Sequence, residues 1–429
     1  MPSELIRQVR VLDPTSNTDR VADVLIVDGV IQAVEGHITE VPQDIQVCDR
    51  PGLVLGPGLV DLYSHSGEPG FESRETLRSL LQSATAGGFT RVNILPQTTP
   101  AIDQSSVVEW VRSHLKGLPQ LSTQLSCWGA LTVGVEGKQM TELSELAAAE
   151  VVGFADGRPL ASGMLLRRLL EYAQSLNKPI ALWGCNPDLT GSGVVREGLE
   201  ALRLGLPGTP VMAETMAIAS ILECIEELRT PVHLMRLSTA RGVELVQTAK
   251  ARGLPITAST TWMHLLLDIT AVATYDPSLH LDPPLGNPDD RQALVNGLQA
   301  GIIDAIAIDH TPYTYEEKTV AFAESPPGAI GLELALPLLW HHFVESGQWS
   351  ALELWRSLST APAQCLWQTP ATVQPNSTAE LTLFDPNQTW EITPHTLKSH
   401  SINTPWFGRS ITGRVVQTWG VGGSERAEG

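Results

Sequence analysis

Residues Gly56 to Gly70 read Gly-Pro-Gly-Leu-Val-Asp-Leu-Tyr-Ser-His-Ser-Gly-Glu-Pro-Gly. The apolar run at 59–62 has the length and composition of a buried strand. Tyr63 and His65 follow it two residues apart, so their side chains point to the same side. Asp-x-His-x-His at a strand end is a familiar zinc-binding arrangement. Here tyrosine stands at the first histidine position, so the stretch predicts a strand-end metal site with one ligand position altered.

Seven further apolar segments of similar length follow, with helical patterns between them. The eight candidate strands are 59–62, 91–95, 125–131, 151–155, 180–183, 232–237, 256–260 and 303–308. The clearest helical pattern between them covers 211–228. Eight strand-then-helix units predict an α/β chain folded as a (β/α)8 TIM barrel, whose functional site lies at the carboxyl ends of the strands.

Both ends of the chain have strand patterns instead. Segments 23–27 and 30–34 alternate around Asp28-Gly29, a two-residue hairpin signal. Segments 379–385 and 413–419 alternate in the same way near the other end. These patterns predict one small β-sandwich built from both termini. The predicted division is 1–55 for its first part, 56–370 for the barrel, and 371–429 for its second part and tail.

Composition limits the possible partners and compartments. The 429 residues carry a net charge of −19, which argues against nucleic acid or an anionic membrane as partner. No run of 18 apolar residues occurs, and the first four residues lack the basic and apolar regions of a signal peptide. Scattered cysteines without a Cys-x-x-Cys pair indicate free thiols in a reducing cytoplasm. They are Cys48, Cys127, Cys185, Cys224 and Cys365.

The segment from Gly58 to Phe71 closely resembles the opening motif of dihydroorotase, in the amidohydrolase superfamily. In that family the motif reads Gly-Phe-Val-Asp-x-His-x-His-Leu-Arg-Glu-Pro-Gly. The resemblance runs almost to the end of the chain and includes 204–208 and 401–406. It implies a barrel of the metal-dependent hydrolase type and a β-sandwich formed by both termini.

The resemblance also implies which positions would hold the metals. Asp309 stands at the position of the family's catalytic acid/base and metal ligand, and His65 at a histidine ligand. Asp156 is a third candidate ligand, with a turn residue before Gly157 as the alternative interpretation. Three further ligand positions are replaced, by Tyr63, Trp183 and Arg236.

Four positions that contact substrate in the family are also changed. Gly67 stands for the arginine that grips the substrate carboxylate, and Gln97 for an asparagine. Asp282 stands for another asparagine, and Tyr313 for a histidine. The implied substrate-binding set is therefore degenerate.

These substitutions lead to three hypotheses. The first is a non-catalytic dihydroorotase homologue of pyrimidine biosynthesis that holds no cofactor and supports aspartate transcarbamoylase, as inactive homologues in the family do. A homodimer is expected by the same analogy. In this hypothesis Arg236 supplies a fixed positive charge near Asp309 and Asp156, because a buried carboxylate without a partner is costly.

The second hypothesis is an active dihydroorotase or another cyclic-amide hydrolase with a reduced zinc site. It would convert L-dihydroorotate and water to N-carbamoyl-L-aspartate. The third is a binding protein whose pocket, lined by Tyr63, Trp183, Arg236 and Tyr313, holds an anionic small molecule.

Overall fold

The computed structural model describes residues 3–39, 45–118, 121–420 and 423–426. The strands are β1 (Glu4–Asp13), β2 (Thr18–Val27), β3 (Val30–Glu35), β4 (Gln46–Asp49), β5 (Val54–Pro57), β6 (Leu59–Val60), β7 (Phe89–Ile94), β8 (Gln124–Gly129), β9 (Gly153–Phe154), β10 (Ala181–Trp183), β11 (Val195–Arg196), β12 (Gly208–Thr209), β13 (Val232–Met235), β14 (Ile256–Thr261), β15 (Ala305–Ala307), β16 (Leu381–Glu391), β17 (Ser410–Gly420) and β18 (Gly423–Arg426).

The α-helices mostly follow the strands of the middle region. They are α1 (Leu77–Ala86), α2 (Ser105–Lys116), α3 (Leu143–Ala148), α4 (Gly163–Ala173), α5 (Pro187–Thr190), α6 (Leu199–Leu204), α7 (Val211–Leu228), α8 (Ala240–Ala251), α9 (Trp262–Leu266), α10 (Pro288–Gln299), α11 (Tyr315–Lys318), α12 (Ala335–Leu339), α13 (Ala351–Leu358) and α14 (Thr360–Cys365). None of the helices in the described residues is long and apolar enough to cross a membrane.

Eight parallel strands close the barrel. One half has the order β6-β7-β8-β9 and the other β10-β13-β14-β15. A parallel bridge from Phe154 to Ile180 joins the halves on one side. On the other side the N–H of Asp309 donates to the carbonyl of Tyr63 at 3.1 Å. All eight predicted strands overlap these observed strands, so the predicted (β/α)8 barrel is confirmed.

The strands from the two ends of the chain share one sheet. Its order is β18-β17-β16-β5-β1-β2-β3, with β4 paired to β1. The two ends meet at the antiparallel pair of β5 and β16, in which Leu383 is opposite Leu55, and at an antiparallel bridge between Val30 and Thr378. The region predicted as a β-sandwich is confirmed as a β domain formed from both termini, and hydrogen bonds connect all of its strands in a single sheet.

A partly buried ion pair fixes this sheet to the barrel. The guanidinium of Arg91, on β7, donates from Nε and Nη2 to the two carboxylate oxygens of Glu380, at 2.8 and 2.7 Å. The Thr90 hydroxyl donates to the same carboxylate at 2.7 Å. Bidentate pairs of this kind are strong and directional. The connection between sheet and barrel is therefore specified by side chains as well as by the chain path.

The Gly56 to Gly70 stretch runs from the sheet into the barrel, where close packing requires small residues. A Cβ on Gly56 would lie 2.4 Å from the indole of Trp355, which is fully buried. The indole N–H of Trp355 donates to the carbonyl of Pro57 at 2.8 Å. Glycine at 56 thus lets the chain pass against Trp355 and enter the first barrel strand.

Candidate functional site at the barrel mouth

A cavity of about 480 Å³ opens where the strands of the barrel end. This volume lies within the range of small-molecule sites. Eight of the ten predicted site residues line it: His65, Gly67, Gln97, Trp183, Arg236, Asp282, Asp309 and Tyr313. The other two, Tyr63 and Asp156, lie outside the lining.

The centre of the cavity floor is an ion pair between Arg236 and Asp309. Arg236 Nε donates to Asp309 Oδ2 at 2.7 Å, and Arg236 Nη2 donates to Asp309 Oδ1 at 2.6 Å. The side chains are 5% and 13% exposed, so solvent screens the pair little. The expected pairing of Arg236 with Asp309 is confirmed.

The rest of the guanidinium is also held. Nη1 donates to the carbonyl of Gly157 at 2.9 Å. The group lies 4.9 Å from the centroid of the Trp183 ring and 5.7 Å from that of Tyr63. Burial alone would lower the pKa of Arg236, but the Asp309 charge and hydrogen bonds outweigh it and raise the pKa. Arg236 is therefore a permanent, fixed cation in the floor.

Tyr63 lies beneath the floor and is fully buried. Its hydroxyl lies 3.1 Å from Ser259 Oγ and accepts from the backbone N–H of Arg236 at 3.2 Å. Burial, followed by the charge of Asp309, raises the pKa of Tyr63. The phenol is therefore neutral and occupied by protein partners, a poor state for binding a metal.

His65 faces the same guanidinium. Its Nε2 lies 3.3 Å from Arg236 Nη2 and 3.7 Å from Asp309 Oδ1. Burial lowers the pKa of His65 to about 4, so the ring is neutral near pH 7. Because a guanidinium can only donate, Nε2 is the acceptor of this contact. The lone pair that would bind a metal is directed at Arg236.

Asp156 is turned into the loop that follows β8. Its Oδ1 accepts from the N–H groups of Leu131 and Thr132 at 2.8 and 3.0 Å, and its Oδ2 accepts from the Thr132 hydroxyl at 2.6 Å. Arg236 reaches the neighbouring Gly157 carbonyl and forms no hydrogen bond with Asp156 in the described structure. The geometry favours the interpretation of Asp156 as a turn residue.

Zinc sites in proteins use three or four histidine, cysteine or carboxylate ligands. Across the described residues, no group of three or more His, Cys, Asp or Glu side chains is placed to hold a metal ion. At the mouth, His65 and Asp309 contact Arg236 instead of sharing an open position. The donor set in this conformation does not fit a zinc centre.

The four positions that the resemblance assigns to substrate contacts lie in the cavity lining. A Cβ on Gly67 would lie 2.4 Å from the carbonyl oxygens of Phe71 and Glu75. The loop backbone therefore leaves no space for a side chain at this position. Gln97 donates from Nε2 to the carbonyl of Asp156 at 3.2 Å. Tyr313 is anchored through its backbone N–H, which donates to Asn403 Oδ1 at 3.2 Å.

Sequence reasoning missed two arginines of the lining. Arg74 Nε lies 3.0 Å from both carboxylate oxygens of Glu317, and its guanidinium lies over the rings of Phe71 and Tyr313. Arg158 is exposed in the lining two residues after Asp156. Both arginines could have been found from the sequence, because each lies in or next to a loop that the resemblance places at the mouth of the barrel.

Comparisons with known proteins agree with this architecture. Residues 52–227 match the family model described as dihydro-orotase-like. The chain is 46% identical to a Synechocystis sp. protein named "Probable dihydroorotase-like protein", over 97% of this chain and 99% of that protein. It is 35% identical to the dihydroorotase of Syntrophus aciditrophicus, over 96% of this chain and 97% of that protein.

A solved structure has the same fold. The L-hydantoinase (dihydropyrimidinase) from Arthrobacter aurescens superposes with a TM-score of 0.87 at 21% identity, covering 100% of this chain and 97% of that one. At this identity the match concerns the fold alone. The sequence identity over nearly the whole chain, together with the barrel and its two-ended β domain, shows that this protein belongs to the dihydroorotase family.

Proposed function

We propose that this chain is a dihydroorotase homologue that has exchanged most of its metal ligands. In this proposal it serves pyrimidine biosynthesis in the cytoplasm as a non-catalytic structural or regulatory partner of aspartate transcarbamoylase, without a metal cofactor. The observation that carries the proposal is the bidentate pair between Arg236 and Asp309 in the cavity floor.

The pair supports a metal-free site on electrostatic grounds. Arg236 is a permanent cation in a buried position, so a zinc ion placed beside it would be repelled with little screening. The carboxylate that would attract zinc is already neutralised by the guanidinium. Metal binding would require breaking that pair and leaving a buried guanidinium without its partner, which is costly.

The pair also supports the absence of catalysis. Hydrolases of this type use the metal to bring the pKa of bound water to about 7 and to polarise the amide. Asp309, at the acid/base position of the family, uses both carboxylate oxygens to bind Arg236. Proton transfer through Asp309 would first require opening this ion pair.

The partner rests on the family resemblance, since inactive dihydroorotase homologues assemble with aspartate transcarbamoylase. The complete barrel and the shared terminal sheet support a scaffolding role, because a fold kept intact around an altered site still presents its surfaces. The free thiols of Cys127, Cys185, Cys224 and Cys365 suit a reducing compartment. A homodimer is included in the proposal by the same family analogy.

The test is to purify the tagged chain from its own host and to identify what accompanies it. Metal content and hydrolysis of L-dihydroorotate are measured on the same sample, with an active dihydroorotase as the positive control. Co-purification of aspartate transcarbamoylase without zinc and without turnover is the expected result. Stoichiometric zinc together with turnover would overturn the proposal and favour an active cyclic-amide hydrolase.

A further inference from the structure

Among the described residues, two oppositely charged side chains line the cavity without a hydrogen-bonded protein partner, although the charge of Arg236 acts on one of them, Asp282. Arg158 is exposed, and Asp282 is accessible from the cavity. Within the described part of the chain, neither side chain forms a hydrogen bond or an ion pair. The other two arginines of the lining are neutralised, Arg74 by Glu317 and Arg236 by Asp309. The cationic Arg158 and the anionic Asp282 are thus the charged groups of the lining that remain available to a ligand.

The two charged side chains line the same cavity, together with Tyr313. Their charges also act on the pKa of the Tyr313 hydroxyl, after burial and the charges of Arg74 and Glu317. Asp282 is exposed to the cavity, but the surrounding protein desolvates its carboxyl group and raises its pKa to about 6 against the lowering effect of the Arg236 charge. A cation beside the carboxylate would favour its charged form.

The aromatic walls narrow the choice of ligand. The guanidinium of Arg74 lies 4.3 Å from the centroid of Phe71 and 4.8 Å from that of Tyr313. Arg236 lies over Trp183 in the same way. These ring faces are already in contact with a protein cation, so they do not offer a cage for a ligand cation. Asp282 is then the group in the lining that would attract a positive charge.

We infer that the barrel mouth binds a small zwitterion, a compound that carries one protonated amine and one carboxylate, as amino acids do. The amine is placed at Asp282 and the carboxylate at Arg158. A dianion such as N-carbamoyl-aspartate meets a single free arginine and is repelled by Asp282. A simple amine leaves Arg158 without a counter-charge. This ligand class goes beyond the proposed scaffolding role and does not depend on any protein partner.

The cavity is large enough for such a ligand. A volume of about 480 Å³ accommodates a molecule of amino-acid size together with several ordered waters. The expected anionic ligand is therefore refined, because the Asp282 carboxylate requires a positive group on the same molecule.

The test is titration calorimetry and thermal stabilisation of the isolated full-length chain. The probes are the common L-amino acids, each compared with its N-acetyl derivative, which lacks the positive charge, and with its decarboxylated amine. L-Dihydroorotate and N-carbamoyl-L-aspartate are added as family ligands. At least one free amino acid is expected to bind and to stabilise the chain, with both modified forms weaker by about tenfold or more.

Variants connect the binding to the two residues. Asp282→Asn and Arg158→Gln are each expected to weaken binding by about ten- to a hundredfold, because each removes a charged hydrogen bond. Asp28→Asn and Arg168→Gln make the same chemical changes at exposed positions elsewhere and are expected to leave binding unchanged. Unchanged melting temperatures of the ligand-free variants would show that they fold.

Three results would overturn the inference. The first is that no amino acid of the set binds at millimolar concentration. The second is that N-acetyl derivatives or N-carbamoyl-L-aspartate bind as tightly as the free amino acids. The third is that Asp282→Asn binds the amino acid as well as the parent chain does. None of these results bears on co-purification with aspartate transcarbamoylase, so the failure of one proposal is distinguishable from the failure of the other.

Discussion

The hydroxyl of Tyr63 accepts a hydrogen bond from the backbone N–H of Arg236, with a distance of 3.2 Å between the two atoms. Both residues stand at positions that the family resemblance assigns to metal ligands. The φ angle of Arg236 is +56°, a left-handed conformation that costs free energy for a residue other than glycine. This hydrogen bond and the ion pair of Arg236 with Asp309 both stabilise the left-handed conformation. The side chain at position 63 therefore helps to position the one at 236.

We predict that Arg236→Ala lowers the free energy of unfolding by about 3 kcal/mol, because it leaves the Asp309 carboxylate buried without its partner. Urea unfolding monitored by tryptophan fluorescence measures this loss. The double variant Arg236→Met with Asp309→Leu removes both charges and should recover much of the stability. An Arg236→Ala chain with the parent melting temperature would contradict the assigned role of the pair.

Under the proposed function, histidines at positions 63, 183 and 236 are expected to create a metal site only when all three are introduced together. The triple variant Tyr63→His, Trp183→His and Arg236→His frees Asp309 and His65 and adds three imidazoles beside them. We predict stoichiometric zinc in this variant, measured by mass spectrometry of the purified protein. The single variant Tyr63→His is the control and should remain without zinc, since Arg236 still occupies the floor. Zinc in the single variant would show that Arg236 does not block the site.

Asp156 is predicted to stabilise the loop after β8 and to have no role in metal binding. Asp156→Ala removes the acceptor of three hydrogen bonds from Leu131 and Thr132. Since a hydrogen bond to a charged group contributes about 1.5–3 kcal/mol, the free energy of unfolding should fall by roughly 3 kcal/mol or more. Thermal unfolding measures the loss. An unchanged melting temperature, or a change in the zinc content of the triple variant when Asp156→Ala is added, would contradict this assignment.

Glu333 gives the fold a defined pH dependence. It is buried and accepts from the backbone N–H groups of Lys398 and Ser399, and burial raises its pKa from 4.5 to about 7. Between these pH values the folded chain binds more protons at this site than the unfolded chain. The contribution of Glu333 is therefore fully present below pH 4.5 and is lost as the pH rises through about 7.

Comparing Glu333→Gln with the parent chain tests whether Glu333 makes the free energy of unfolding fall as the pH rises. The variant cannot titrate, so its free energy of unfolding should decline less steeply as the pH is raised across the window. One titrating group changes the slope by at most about 1.4 kcal/mol per pH unit. Urea unfolding at several pH values gives both slopes. Parallel pH profiles would show that Glu333 is ionised throughout the window.

The spacing of apolar residues along the chain, together with the composition, was sufficient to predict the barrel and the position of its strands. The apolar run at 59–62 overlaps β6, and the helix predicted at 211–228 coincides with α7. These signals are local, since buried strands and amphipathic helices differ in the spacing of their apolar residues. The rule that sites lie at the carboxyl ends of barrel strands predicted where the cavity lies, while the family resemblance named the residues of its lining.

Other features depend on contacts between distant residues. Arg74 and Glu317 are 243 positions apart, and no local pattern indicates that they pair. The orientation of Asp156 depends on N–H groups in the loop after β8, which only the folded backbone brings together. The carbonyl groups of Phe71 and Glu75 likewise leave no space for a side chain at Gly67. Sequence alone could name Asp156 and Gly67, but it missed Arg74 and could not assign the partners of any of these residues.

The pairing of β5 with β16 has a consequence for synthesis of the chain on the ribosome. Val54–Pro57 is translated long before Leu381–Glu391, and the whole barrel is made between them. At about 5–20 residues per second, β5 waits on the order of a minute or less for its neighbour. During that time its edge is open to pairing with other nascent chains. Slow translation or truncation before β16 is therefore expected to favour aggregation through the N-terminal strands.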